Sequence, residues 1–152
     1  MIKLIIFDYG GTIYNPLTDQ LYSGAKEILE KLRPKFKLAL VSRAYDVKER
    51  LNDFKRFHLE DFFELMEIVP KGKIKDFVHI LKKFNVTSKE CLVVGDYVKS
   101  EIREGNKISI ITIWTKNGEF PNVFPENEEE KPNYKIEFLK ELIPLVDNLN
   151  NS

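Results

Sequence analysis

Two short apolar runs in this chain end on an acid. Leu4-Ile5-Ile6-Phe7 leads into Asp8, and Cys91-Leu92-Val93-Val94 leads through Gly95 into Asp96. Around them, further short apolar runs alternate with amphipathic stretches. That alternation is the pattern of βα units, and it restricts the chain to an α/β fold with a doubly wound parallel sheet. Strands are expected at 3–7, 38–42, 66–69, 91–94 and 109–114, and helices at 23–33, 46–57, 73–84, 97–106 and 138–149. The 73–84 helix rests on Ile74, Phe77, Val78, Leu81 and Phe84, spaced as one helix face. Residues 116–133 make the longest loop, polar and broken by Gly118, Pro121, Pro125 and Pro132, with an apolar stretch from Phe120 to Pro125 that suits local packing, a cover or an interface. The reading gives a single domain over 1–149 and a disordered tail over 150–152.

The bulk of the sequence excludes several function classes. Its 152 residues suffice for one domain with a real core. The 24 basic residues balance 24 acidic ones, so nothing marks a strongly basic nucleic-acid binder. One cysteine permits no internal disulfide, and with only two histidines beside it a structural zinc site is not expected. The apolar run at the start is too short for a signal peptide or a membrane span, and no later run is long enough; a cytoplasmic location follows by default.

Four segments can carry chemistry. An acid at the carboxyl end of a buried parallel strand, as Asp8 is, stands where open α/β sheets bind ligands. Gly10 and Gly11 let the backbone turn sharply and bring N–H groups to an anion, and Thr12 adds a hydroxyl. A carboxylate beside such a turn can bind Mg²⁺ or attack phosphorus. Ser42, followed by Arg43, ends the second strand and can reach a phosphoryl oxygen; in isolation a serine there is more often a strand terminator. Lys71, after Pro70, can neutralise a phosphoryl group, or is simply part of a solvated basic turn. Asp96, with Glu101 after it, repeats the first pattern, and two strand-end acids from different strands make a hard-cation site. No glycine-lysine-serine/threonine run follows the first strand, which excludes a nucleotide P-loop.

Taken together and in this order, the four segments resemble the haloacid dehalogenase-like superfamily. Asp8, Gly11 and Thr12 match its first motif, Ser42 its second, Lys71 with Phe77 six residues on its third, and Gly95-Asp96 its fourth. The resemblance covers nearly the whole chain and implies a Mg²⁺-dependent phosphohydrolase. By that resemblance Asp8 is the nucleophile that forms an aspartyl phosphate from a phosphate monoester. Asp8, the Gly10 carbonyl and Asp96 hold Mg²⁺, with Glu101 supporting the metal or the lysine. Gly11, Thr12, Ser42, Arg43 and Lys71 meet the phosphoryl group.

Two departures from the family pattern matter. The usual phosphatases carry a second aspartate, the general acid and base, where this chain has Gly10. Such a group is worth roughly 10²–10⁴-fold. Its loss predicts slow turnover, strongest for alkyl phosphates with basic leaving groups, or a proton donor elsewhere, or a module that binds Mg²⁺ or a phosphorylated partner with little turnover. The other departure is size. The gaps from Asp8 to Ser42 and from Ser42 to Lys71 hold no cap domain. An open site suits a large, even macromolecular, phosphorylated substrate, or one covered by a neighbouring subunit of a homo-oligomer.

Overall fold

The computed structural model describes residues 1–151. Its centre is strand β1 (Leu4–Phe7), buried over its whole length. A two-residue hairpin follows, β2 (Tyr14–Asn15) against β3 (Gln20–Leu21), then helix α1 (Ala25–Leu32) and strand β4 (Lys37–Ala44). Helix α2 (Val47–Arg56) leads to β5 (Leu65–Pro70), helix α3 (Val78–Phe84) to β6 (Cys91–Gly95), and helix α4 (Arg103–Lys107) to β7 (Ile111–Thr115). Strand β8 (Tyr134–Ile136) and helix α5 (Leu142–Asn151) close the chain.

Six strands form one sheet in the order β5-β4-β1-β6-β7-β8, and every pairing in it is parallel. The chain steps outward from β1 through β4 to β5, then returns to the other side of β1 and steps outward again. The strand order reverses between β1 and β6, and ligands of open α/β sheets bind at the carboxyl ends beside such a reversal.

The strand residues alternate between two cores. Ile5, Phe7, Leu38, Leu40, Leu92 and Val94 face a cluster that includes Leu29 of α1, Phe54 of α2 and Val146 of α5. Leu4, Ile6, Ala39, Val41, Cys91 and Val93 face a second cluster with Phe77 and Ile80. Burial on both faces explains why these runs are continuously apolar rather than alternating. Cys91 is a buried free thiol. No helix among the described residues is long and apolar enough to cross a membrane.

The structure departs from the sequence expectations at four places. Only Val78–Phe84 of the expected 73–84 stretch is helical. Asp76 Oδ1 accepts a hydrogen bond from Val78 N at 2.9 Å, and the residues before it run irregularly, with Ile74 exposed and Lys75 buried. Residues 97–106 begin with a π-helical turn, Val98–Ile102, before α4. Residues 134–136, to which the sequence assigns no element, are the sixth strand of the sheet. The last helix runs on through Asn151, and Asn150 Oδ1 accepts a hydrogen bond from Ile2 N at 2.8 Å, so 150 and 151 are tied down rather than a disordered tail. Ser152 lies outside the described residues.

Candidate active site

Register brings the acids together. Phe7 pairs with Val94 on β6 and with Leu40 on β4. Asp8 therefore leaves the sheet beside Gly95-Asp96 on one side, and on the other Ser42, still within β4 and paired with Ile68, stands two residues beyond Leu40 rather than at the strand's end as the sequence suggests. Asp8, Asp96 and Glu101 each offer an oxygen, and these oxygens lie within 4.8 Å of one another. All three residues are 9% exposed or less. They line a cleft of about 390 Å³ together with Ser42, Arg50 and Lys75.

Lys75 sits among these acids. Its ammonium lies 2.5 Å from Asp8 Oδ1 and 3.4 Å from Glu101 Oε2, and the residue is 3% exposed. Burial alone would lower its pKa, but Asp8 and then Glu101 more than reverse this, and the ammonium is held above the ordinary lysine value. The irregular segment before α3 is what lets Lys75 reach inward. In a regular helix from Lys73, it would stand beside Ile74 and away from the face carrying Phe77 and Leu81.

The π-helical turn serves Glu101 in a similar way. It points that side chain back at the strand end, where Oε1 accepts hydrogen bonds from the backbone N–H groups of Asp96 and Tyr97, each at 3.1 Å. A Cβ at position 95 would come within 2.2 Å of Glu101 Cγ, so only glycine fits there. With one oxygen on the backbone and the other on Lys75, Glu101 fixes both. Burial, then Asp8, pushes the carboxyl groups of Asp96 and Glu101 well above the usual carboxylate range. With all three acids ionised, the single Lys75 ammonium would leave this cluster with a deficit of positive charge. The oxygen-only donor set suits a hard divalent cation, which would relieve that deficit.

The other expected site residues take varied places. Thr12 is fully buried and its hydroxyl donates to Asp8 Oδ2 at 3.4 Å. The N–H of Gly11 donates to Tyr14 O at 2.8 Å and that of Thr12 to Tyr9 O at 3.2 Å. Both groups are thus committed to the turn and do not face an anion; Gly11 and Thr12 shape the loop around Asp8. Ser42 Oγ accepts from the guanidinium of Arg50, which also donates to the Arg43 carbonyl at 3.1 Å and lies over the Tyr9 ring at 4.7 Å. Asp46 caps α2 by accepting from Glu49 N at 3.1 Å, and the next residue along, Arg50, reaches back to the site. Arg43 lines the cleft but donates to Ser100 Oγ at 3.3 Å and to Lys73 O at 3.0 Å.

Lys71 is at the mouth of the cleft, exposed, with its ammonium 3.7 Å from the centre of the Tyr45 ring. It is not the lysine beside Asp8. Motif spacing selects it over its neighbours, whereas the fold buries Lys75. Neither Arg50 nor Lys75 is among the residues that the sequence singles out. Arg50 leaves no signal in its own segment. Lys75 lies inside a periodic stretch that reads as helix.

The loop after β7 closes one side of the site. Gly118 passes so close to the strand ends that a Cβ would lie 2.3 Å from Asp96 Cβ and 2.4 Å from Gly11 O. Glu119 N donates to Asp96 Oδ2 at 2.9 Å. Phe120 stacks on Tyr97 with ring centres 4.3 Å apart, and Phe124 packs edge-on against Trp114 at 6.2 Å. The apolar stretch 120–125 thus makes ring contacts at the rim while Phe124 stays 57% exposed.

Comparison with known proteins is consistent with this arrangement. The sequence model described as haloacid dehalogenase-like hydrolase matches residues 15–107. The chain is 33% identical over 135 residues to a glyceraldehyde 3-phosphate phosphatase of Pyrococcus abyssi, covering 85% of this chain and 56% of that protein. It spans about half the length of the curated relatives it matches. Among solved structures, a 2-haloacid dehalogenase of Pseudomonas syringae pv. Tomato superposes with a TM-score of 0.79 at 15% identity, over 98% of this chain and 100% of that one. An uncharacterized protein of Listeria monocytogenes serotype 4b superposes at 0.77 and 22% identity, over 99% and 100%. At such identities the two structures speak for the fold alone.

Proposed function

The chain belongs to the haloacid dehalogenase-like hydrolase family, and on that premise we propose that it is a Mg²⁺-dependent phosphohydrolase acting on phosphate monoesters with Asp8 as nucleophile. The observation that carries the reading is the meeting of Asp8, Asp96 and Glu101 around the buried Lys75 ammonium at the sheet's reversal point. A carboxylate held beside a fixed ammonium, at the end of a rigid strand, is positioned for in-line attack on phosphorus. Phosphoryl transfer rests largely on such positioning and on neutralising charge. Lys75 and Arg50 supply fixed positive charge to the cleft, Ser42 a hydroxyl and Thr12 a hydrogen bond that orients Asp8. Asp8 and Asp96 are the residues suited to hold Mg²⁺, which when bound supplies further charge neutralisation for the phosphoryl oxygens.

The substrate in this reading is a phosphate monoester. The relatives' name makes glyceraldehyde 3-phosphate the first compound to assay. The reading is tested with a panel of phosphorylated compounds, including that triose phosphate and p-nitrophenyl phosphate, with and without Mg²⁺. Phosphate release that requires Mg²⁺ is expected for at least one. No release from any member in the presence of Mg²⁺ would remove the phosphatase reading.

A binding measurement checks the metal separately. Mg²⁺ at about a hundred times its Kd stabilises the fold by about 2.7 kcal/mol if it binds the folded state only. For a chain of this size that is a rise in melting temperature of roughly 5–10 °C. Asp96→Ala should abolish the rise. An undiminished rise in that variant would place the ion elsewhere.

A further inference from the structure

We propose that Glu119 is the general acid and base of this site, in place of the aspartate that Gly10 does not provide. The assignment rests on the phosphatase reading above. Its ground is a steric coincidence. Gly10 has no side chain, and a Cβ built there would meet Glu119 Oε1 at 3.4 Å. The carboxylate of Glu119 therefore stands in van der Waals contact with the point from which a side chain at position 10 would grow, on the cleft that Asp8 also lines.

That placement is built rather than incidental. The Glu119 N–H is bonded to Asp96 Oδ2, Gly118 before it is wedged between Asp96 and Gly11, and Phe120 after it is stacked on Tyr97. Three successive residues thus pin the backbone, while the Glu119 carboxylate has no hydrogen bond or ion pair among the described residues. The other carboxylates of the cleft are engaged: Asp8 and Glu101 with Lys75, Asp96 with Glu119 N. His79, the histidine nearest in sequence to the third motif, bonds Glu67 at 2.7 Å and does not line the cleft.

In the first step a carboxylate oxygen of Asp8 forms a bond to phosphorus as the bond from phosphorus to the leaving oxygen breaks, and that oxygen takes the proton of the Glu119 carboxyl. In the second, Glu119, now a carboxylate, takes a proton from water as the water oxygen bonds to phosphorus. The bond from phosphorus to Asp8 breaks, phosphate leaves, and Asp8 and Glu119 return to their starting states. The net reaction is ester plus water to alcohol plus phosphate. This revises the expectation from Gly10 alone: the wild type hydrolyses alkyl phosphates without a heavy preference for aryl ones.

The test compares an alkyl phosphate with p-nitrophenyl phosphate, whose phenolate leaves without a proton. Burst-phase rates are measured for both, so that the first step is followed in each apart from the second step they share. In Glu119→Gln, whose melting curve and Mg²⁺ response should match the wild type, the aryl-to-alkyl rate ratio is expected to rise by about 10²-fold or more. Adding Gly10→Asp should lower the ratio again by at least about tenfold, since backbone and space at position 10 admit a side chain. A ratio of burst-phase rates unmoved in a folded Glu119→Gln variant overturns the assignment while leaving the phosphatase reading in place. A wild type that releases phosphate from neither compound removes that reading and this assignment with it.

Discussion

Asp8→Asn should abolish phosphate release, by at least about 10⁴-fold, and leave the fold intact. The size of the loss follows from removing the group that forms the covalent bond, on which all other groups of the site depend. An amide of the same shape is a far weaker nucleophile and a poorer metal ligand. The fold should tolerate it. The amide oxygen can still accept from Lys75, and the side chain can still share a hydrogen bond with the Thr12 hydroxyl; these are the partners that Asp8 has now. Lys75 keeps Glu101 at 3.4 Å, and one of three crowded carboxylates is gone. Without Mg²⁺ the melting temperature of the variant should equal or exceed that of the wild type. Turnover retained in a pure preparation would take Asp8 out of the role of nucleophile.

The second large effect separates two lysines. Lys75→Met strands Asp8 and Glu101 in a buried site, and removing one partner of a buried ion pair costs about 3–5 kcal/mol. Without divalent cation this should appear as a marked fall in unfolding free energy, and Mg²⁺ should restore part of it. Catalysis should fall by roughly 10²–10³-fold, the scale seen when a fixed electrostatic donor is lost. Lys71→Met removes only an exposed contact with the Tyr45 ring, worth about 0.5–1 kcal/mol. Its activity should change little by comparison. Denaturant titration and steady-state rates of the two variants decide between the lysines. Severe loss in Lys71→Met with a silent Lys75→Met would restore the lysine chosen by motif spacing.

How much of this is legible in the sequence depends on what each residue's neighbours announce. Asp8 and Asp96 are legible because an apolar strand that ends on an acid declares both its burial and its end. Glu101 is legible as a second acid shortly after. Lys75 is not, because its neighbours Ile74, Phe77 and Val78 carry helical periodicity, and lysines are almost never buried without a partner. Its partners lie on two other segments of the chain. The periodicity fails there for the same reason: the ion pair and the buried Phe77 outweigh a few helical hydrogen bonds. Glu119 is illegible because a polar loop carries no period, and the close approach that fixes it is set by Asp96 and Gly11 in space. Strand β8, three residues long, and the two-residue strands of the hairpin are too short to show alternation at all.

The order of the sheet has a consequence for how the chain reaches its native state. Strand β1 is synthesised well before β6, yet β6 is one of its two partners, with Leu4 beside Cys91. Until β6 exists, β1 has one bare edge, and that edge is apolar on both faces, the kind that pairs indiscriminately. Pairings between such distant segments are slow, since loop closure must precede any gain from contact. The acids of the cleft are divided along the same line: Asp8 belongs to the early half, Asp96 and Glu101 to the late one. A chain stopped before residue 91 therefore presents a sticky strand and a lone acid. The event that covers the strand edge is the same one that assembles the carboxylates, so hydrogen exchange at β1 and recovery of Mg²⁺ binding should follow one refolding phase.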